Sequence, residues 1–297
     1  MLNKIRPYMM PAAMILGGIF HRFFAHFTFL TPYLIFSMLL LTYCNLSLKN
    51  IRFSRAHVWL IAIQVFGSIG VYLLLKPVNL ILAQAAMICI LAPTATSAPV
   101  IARMLKGNVE SLTAYSLLCN TTVAIVAPIM FSFVGSYQEI PFWESFFIIA
   151  RQIVVLLIAP FLLAIVVRKL LPVVETKTHL FSNISFVLWS FALTVVTAKI
   201  IEFILVQDSE NYSIELIIAG VSMVICVLQF LLGRKIGRKY DDTVAGGQGL
   251  GQKNTVLAIW MAQTYLNPIA SLGPGTYVLW QNIVNSYQVW RTRKSLE

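Results

Sequence analysis

The sequence predicts an all-α membrane protein with ten transmembrane helices arranged as two inverted five-helix repeats. Three observations carry that expectation. The chain of 297 residues is 59% hydrophobic and only 11% charged, with mean hydropathy +0.81, more apolar surface than one soluble core can hide. Its basic residues gather in alternate loops. Two of its apolar runs are interrupted by helix-breaking or polar residues, one half-chain apart.

Apolar runs place spans near 7–24, 27–46, 58–75, 78–105, 110–134, 147–167, 181–206, 214–232, 243–266 and 275–290. The first run imitates a secretory signal, but His21-Arg22-Phe23-Phe24 offers no small-residue cleavage site, so a retained first helix is expected. Lys and Arg in short loops are held on the cytoplasmic side. With the N-terminus inside, seventeen of the 22 basic residues, from Lys4 and Arg6 to Arg293 and Lys294, fall in cytoplasmic segments. Arg22, Lys76, Arg151 and Lys199 fall opposite, with most of the acids, including Glu139, Glu144, Asp208, Glu210 and Glu215. A miscount of one span would scramble this segregation, so both termini are expected to be cytoplasmic, in the inner membrane if the source is bacterial.

The net charge of +11 does not mark a nucleic-acid binder, because its carriers are spread over six separate cytoplasmic segments with no soluble domain to display them. Cys44, Cys89, Cys119 and Cys226 sit in apolar runs without a CxxC pair and read as packed thiols. There is no GxSxG, HExxH, Walker or paired-carboxylate motif, so the protein is not expected to be an enzyme. A single transmembrane domain, residues 1–297, is expected.

The fourth run is broken by Ala92-Pro93-Thr94-Ala95-Thr96-Ser97-Ala98-Pro99, whose prolines remove backbone donors and clash with the preceding turn. The ninth contains Gly246-Gly247-Gln248-Gly249-Leu250-Gly251-Gln252-Lys253-Asn254, read as a glycine-rich unwound stretch. Hydrocarbon offers backbone groups no partners, so such breaks are tolerated only inside protein or along a polar cavity. Breaks at matching places in two five-helix halves are the sequence mark of an inverted-repeat transporter. The half-helices beyond them would aim unpaired N–H groups and partial positive charge into the cavity, which suits an anion.

At these two places the chain resembles the bile acid:sodium symporter family, over nearly its whole length. Pro93-Thr94-Ala95-Thr96 with Lys106-Gly107-Asn108-Val109, then Gly251-Gln252, Trp280-Gln281-Asn282-Ile283 and Ser286 before a basic C-terminus, carry the resemblance. It implies a panel of helices 1, 2, 6 and 7 against a core of helices 3–5 and 8–10, with discontinuous helices 4 and 9 crossing in the core. It implies an organic anion as substrate, bile acid-like or a smaller carboxylate, moved by alternating access. Sodium-coupled members hold one cation at positions that align with Ala98, Pro99, Ser116, Asn120 and Gln248; here two oxygen ligands and the only carboxylate are missing, and a hard cation loses much by that. A second family site aligns with Gln64, Gln248 and Gln252, which keep amide oxygens but no charge. No cofactor is expected, and coupling to Na⁺ or H⁺ is left open, with degenerate sodium sites pointing to sodium-independent or proton-linked transport.

Where the family has an asparagine, this chain has Lys253. Its ammonium is expected either to occupy a vacated cation position or to pair with a substrate carboxylate. A charge at that depth costs at least about 2.5–3.5 kcal/mol on insertion scales, which favours a functional use over accident. Thr96, Ser97 and Asn254 are further candidates for binding substrate, and Asn282 for reaching the crossing. His21 and His26 read as interfacial, Trp143, Trp260, Trp280 and Trp290 as belt or packing residues, and Arg151 and Lys199 as snorkelling cations. The partners expected are a small organic anion and the lipid bilayer, with no nucleic acid and no evident protein partner. Two alternatives stay open: a permease for another solute such as arsenite, for which Cys89 and Cys119 lie near the fourth break, and a membrane receptor that does not transport.

Overall fold

The computed structural model describes residues 2–44, 52–135, 140–171, 178–206 and 212–294. Lys49, Lys177, Glu139, Asp208 and Glu210 lie outside the described residues. The helices run in order α1 (Leu2–Ile19), α2 (His21–Ala25), α3 (Thr31–Cys44), α4 (Arg55–Leu75), α5 (Leu80–Leu91), α6 (Ala98–Met104) and α7 (Val109–Val134). They continue with α8 (Phe142–Leu170), α9 (Thr178–Val206), α10 (Tyr212–Arg238), α11 (Thr243–Gly251), α12 (Thr255–Tyr265) and α13 (Leu272–Lys294). Among the described residues the only extended pairing is one isolated antiparallel bridge, Thr94 with Lys253.

Five of these helices, α4, α7, α8, α9 and α10, contain segments long and apolar enough to cross a membrane. Large apolar side chains stand on their outer surfaces, Phe66, Leu74, Trp143, Phe147 and Leu216 among them. In water such a belt would aggregate; against acyl chains it costs nothing. The fold is therefore all-helical and of membrane-protein character.

Helix starts follow local chemistry. Asn79 accepts from Leu82 N at 2.9 Å to open α5, Asn108 from Ser111 N at 3.0 Å to open α7, and Asn254 from Leu257 N at 3.3 Å to open α12. Pro99 sits in the first turn of α6, where a missing N–H is harmless. Lys106 closes that helix with a left-handed φ of 58°.

Two sets of helices pack internally. Helices α1, α3, α8 and α9 form one, with α3 against both α8 and α9. Helices α4, α5, α10, α11 and α13 form the other, centred on the long contact between α10 and α11. α7 lies between them, against α8 on one side and α4 and α11 on the other.

The structure corrects the reading of the glycines. Gly246, Gly247, Gly249 and Gly251 are helical, all within α11, and the ninth segment breaks only at Gln252–Asn254. What the glycines provide is proximity: a Cβ on Gly246 would overlap Gly233 O, and one on Gly233 would overlap Gly246 O. A Cβ on Gly249 would come within 2.7 Å of the Tyr115 ring, and one on Gly251 would strike the Phe230 ring. Without a hydrophobic drive between helices in lipid, close backbone approach through small residues supplies the attraction.

Candidate functional site

The two broken segments meet. The 92–97 stretch between α5 and α6 lies against the 252–254 stretch between α11 and α12. Ala95 N donates to Gln252 O at 2.8 Å and Asn254 N donates to Pro93 O at 2.8 Å. The Thr94 hydroxyl donates to Gly249 O at 2.9 Å. Each break thus supplies partners that the other has lost.

An α-helix that stops inside apolar surroundings leaves its last carbonyls without donors. At the end of α5 each of them is served, from Cys89 to Pro93. Gln229 Nε2 donates to Cys89 O at 3.1 Å, Lys253 Nζ to Ile90 O at 2.8 Å, and Gln64 Nε2 to Leu91 O at 2.7 Å and Ala92 O at 3.0 Å. Asn254 N completes the series at Pro93 O. At the end of α11, Gly249 O accepts from Thr94, Gly251 O from the Tyr277 hydroxyl at 2.8 Å and Gln252 O from Ala95 N.

Lys253 is 1% exposed. Its backbone N–H donates to Gln281 Oε1 at 2.9 Å, which fixes the residue from the α13 side. Among the described residues its ionisable neighbours are the thiols of Cys89, Cys119 and Cys226, not a carboxylate. All four cysteines are buried and free.

Gln64 is a keystone rather than an open ligand. Both halves of its amide are engaged, the nitrogen as above and Oε1 by Tyr115 Oη at 3.0 Å and Cys119 Sγ at 3.2 Å. Gln252 Oε1 accepts from Asn285 Nδ2, and Gln252 Nε2 donates to Ser97 Oγ at 3.3 Å. Gln248 Nε2 donates to Asn285 Oδ1 at 3.0 Å and Gln288 Oε1 at 3.3 Å, while its own oxygen is buried without a partner. Asn254 Nδ2 and Asn120 Oδ1 are likewise buried and unpartnered; Asn120 donates to Ser116 O at 2.7 Å. Ala98 is buried and Pro99 half-buried at the start of α6, where neither side chain offers oxygen. Thr96 is half-buried in the turn before α6, and Ser97 is its exposed N-cap, without a side-chain capping bond.

Asn282 lies apart from this assembly. Its amide donates to Val278 O at 2.6 Å, one turn back on its own helix. The residues of α13 that do reach α11 and the break beyond it are Tyr277, Gln281, Asn285 and Gln288, which recur at helical spacing on one face. Gln229 of α10 joins them, its Nε2 also donating to Tyr277 Oη at 3.0 Å. Polar residues recurring at helical spacing on one face are the signal that would have found them.

A second polar cluster ties three helix N-termini together. The Ser111 hydroxyl donates to Asp242 Oδ2 and lies 2.9 Å from His57 Nε2, linking α7, α11 and α4. An Asp at the convergence of three positive dipole ends is favourably placed.

The hydroxyl of Thr94 offers a direct check on the junction. Thr94→Val keeps the shape, deletes the donor and leaves Gly249 O unpaired, with an expected loss of about 1–3 kcal/mol. The measurement is the thermal midpoint of the detergent-solubilised protein, and an unchanged midpoint would show that this bond contributes nothing. Compared with known proteins, the chain matches no family model and no curated protein, and its function is read from the junction itself.

Proposed function

We propose that the protein is a secondary active transporter of an organic anion, bile acid-like or a smaller carboxylate, which binds beside the junction of the two broken helices. The observation that carries the proposal is the Lys253 amine, held inside that junction with no carboxylate beside it among the described residues. α5 and α11 end there and α6 and α12 begin there. Taking roughly half a charge per helix end, the two negative and two positive ends cancel and the Lys253 charge is left over. Asn254 Nδ2, a buried donor without a partner, adds a group that an anion could use.

In this reading α1 with α2, α3, α4, α5 with α6, α7, α8, α9, α10, α11 with α12, and α13 are ten spans in two inverted repeats. The panel is α1, α3, α8 and α9 and the core is the remainder, as the resemblance to bile acid:sodium symporters implies; the two packing groups agree with that division. α12 packs mainly on α13 and the Pro268–Ser271 turn and also touches α3 and α9, whereas α6 packs mainly on α7 and α11 and leaves Ser97, Val100, Arg103 and Met104 exposed. An exposed serine beside the break fits a crevice between core and panel on the α6 side, which the distribution of basic residues makes cytoplasmic. Alternating access then closes that side and opens the α12 side.

The thiols of the arsenite alternative are occupied in packing: Cys119 bonds to Gln64, and Cys89 lies against Gly273. Uptake of labelled bile acids and small carboxylates into proteoliposomes, with a sodium, potassium or pH gradient imposed in turn, tests the proposal. Saturable uptake of at least one anion without strict sodium dependence is expected. No uptake of any anion under any gradient would overturn it, and strict sodium dependence would overturn its account of the cation positions.

A further inference from the structure

Helices α10 and α13 run side by side in the same direction: Gln229 meets Tyr277, and further along Arg234 Nη1 donates to Gln288 Oε1 at 3.4 Å. Their outward faces are apolar almost to the end, with Val227 and Leu231 exposed on α10 and Ile283 and Tyr287 exposed on α13. At the same helical spacing each stripe then turns basic, through Arg234 and Arg238 on α10 and Arg291 on α13. Arg238 and Arg291 are exposed, and the charges of both act on that of Arg234. Three guanidiniums therefore gather where two lipid-facing stripes stop.

Like charges brought together repel, so such a group calls for an anion. Among the described residues the protein supplies none: none of the three arginines makes an ion pair, and the Asp242 carboxylate, four positions beyond Arg238, is bonded to Ser111. Arg234 adds an independent sign. Its stem packs on α11, where a Cβ on Gly247 would strike its Cγ, so the head is held half-buried. Yet of its five N–H donors only one is used within the described protein. Trp290, exposed beside Arg291 and 6.0 Å from the Tyr287 ring, is the kind of aromatic that sits at headgroup level.

We propose that the ends of α10 and α13 form a binding site for an anionic phospholipid, its phosphate held by Arg234, Arg238 and Arg291 and its acyl chains laid along the apolar stripes beside them. The site stands whatever the protein carries. A membrane's diffuse attraction for basic side chains counts charges alone. A built site also depends on shape, because a guanidinium grips two phosphate oxygens where an ammonium acts as a point charge.

The test is the thermal midpoint of the full chain in nonionic detergent micelles doped with phosphatidylglycerol or with phosphatidylcholine. Phosphatidylglycerol is expected to raise the wild-type midpoint by about 3 °C or more and phosphatidylcholine to leave it in place, as a ligand of the folded state alone would do. Arg238→Gln and Arg291→Gln, at exposed positions, are expected to fold and to lose most of that rise. Arg234→Lys keeps the charge and is expected to lose it too; if that variant does not fold, the exposed pair decides. Lys169→Gln, which removes an exposed cation from the end of α8, is expected to keep the full rise. Equal effects of the two lipids would overturn the inference, as would a Lys169→Gln loss as large as that of Arg238→Gln, which would mean surface charge alone, or an Arg234→Lys protein with the full rise. Inorganic phosphate or glycerol phosphate that reproduces the rise without lipid would overturn it as well, since the site would then take a free phosphate.

Discussion

Gly246→Val is expected to be the most damaging single substitution in the α10–α11 contact, lowering stability by about 3 kcal/mol or more. Overpacking costs typically about 1–3 kcal/mol where side chains can yield. Here the obstacle is main chain on the partner helix: the new Cβ would overlap Gly233 O and lie 2.9 Å from Gly237 Cα. Relief would require the helices to separate, which would pull Gly249 and Gly251 off Tyr115 and Phe230 and shift the Gln252–Asn254 break. Gly220→Ala is the control, since a Cβ on Gly220 meets nothing within 4 Å and alanine is the better helix former by about 1 kcal/mol. Thermal midpoints of the two variants should move in opposite directions. A Gly246→Val protein that melts with the wild type would mean that the close approach of α10 and α11 does not hold the junction.

Gln64→Leu is the second large effect. Leucine matches the volume but strands four groups at once: Leu91 O and Ala92 O lose their donor, and the Tyr115 hydroxyl and the Cys119 thiol lose their acceptor. Each buried polar group left without a partner costs about 1–3 kcal/mol, and relaxation shared among neighbours makes a total of about 3–5 kcal/mol the expected outcome. On the transporter reading, uptake should fall with stability, because α5 would fray at the end that seats Lys253. The check is a pair of measurements, thermal unfolding and initial uptake rate, on the same preparation. Normal stability with normal uptake would remove Gln64 from its keystone role.

Much of this architecture is legible in the sequence. Hydropathy places the long helices, and Pro93 and Pro99 locate the first break because proline removes a donor wherever it stands. Lys253 locates the second, since a lone basic residue between a glycine run and an apolar run is hard to place anywhere but a protected site. The glycines mislead for a physical reason: the same absence of a side chain that lets a chain unwind also lets two helices touch, and composition does not separate the two uses. Asn282 misleads because neighbouring positions on a helix point about 100° apart, so choosing it over Gln281 turns away from the face that reaches Lys253 N. The bridge from His57 through Ser111 to Asp242 joins residues 54 and 131 positions apart, and no local pattern announces it.

The reciprocal stitching of the two breaks carries a mechanical meaning. Bonds from Ala95 to Gln252, from Asn254 to Pro93 and from Thr94 to Gly249 rivet four half-helices at one point, like the pin of a pair of scissors. Opening that pin in a greasy interior would strand carbonyls on both blades at once. On the transporter reading, a working stroke would therefore carry the rivet along whole, and the give would come from the helices that slide past it.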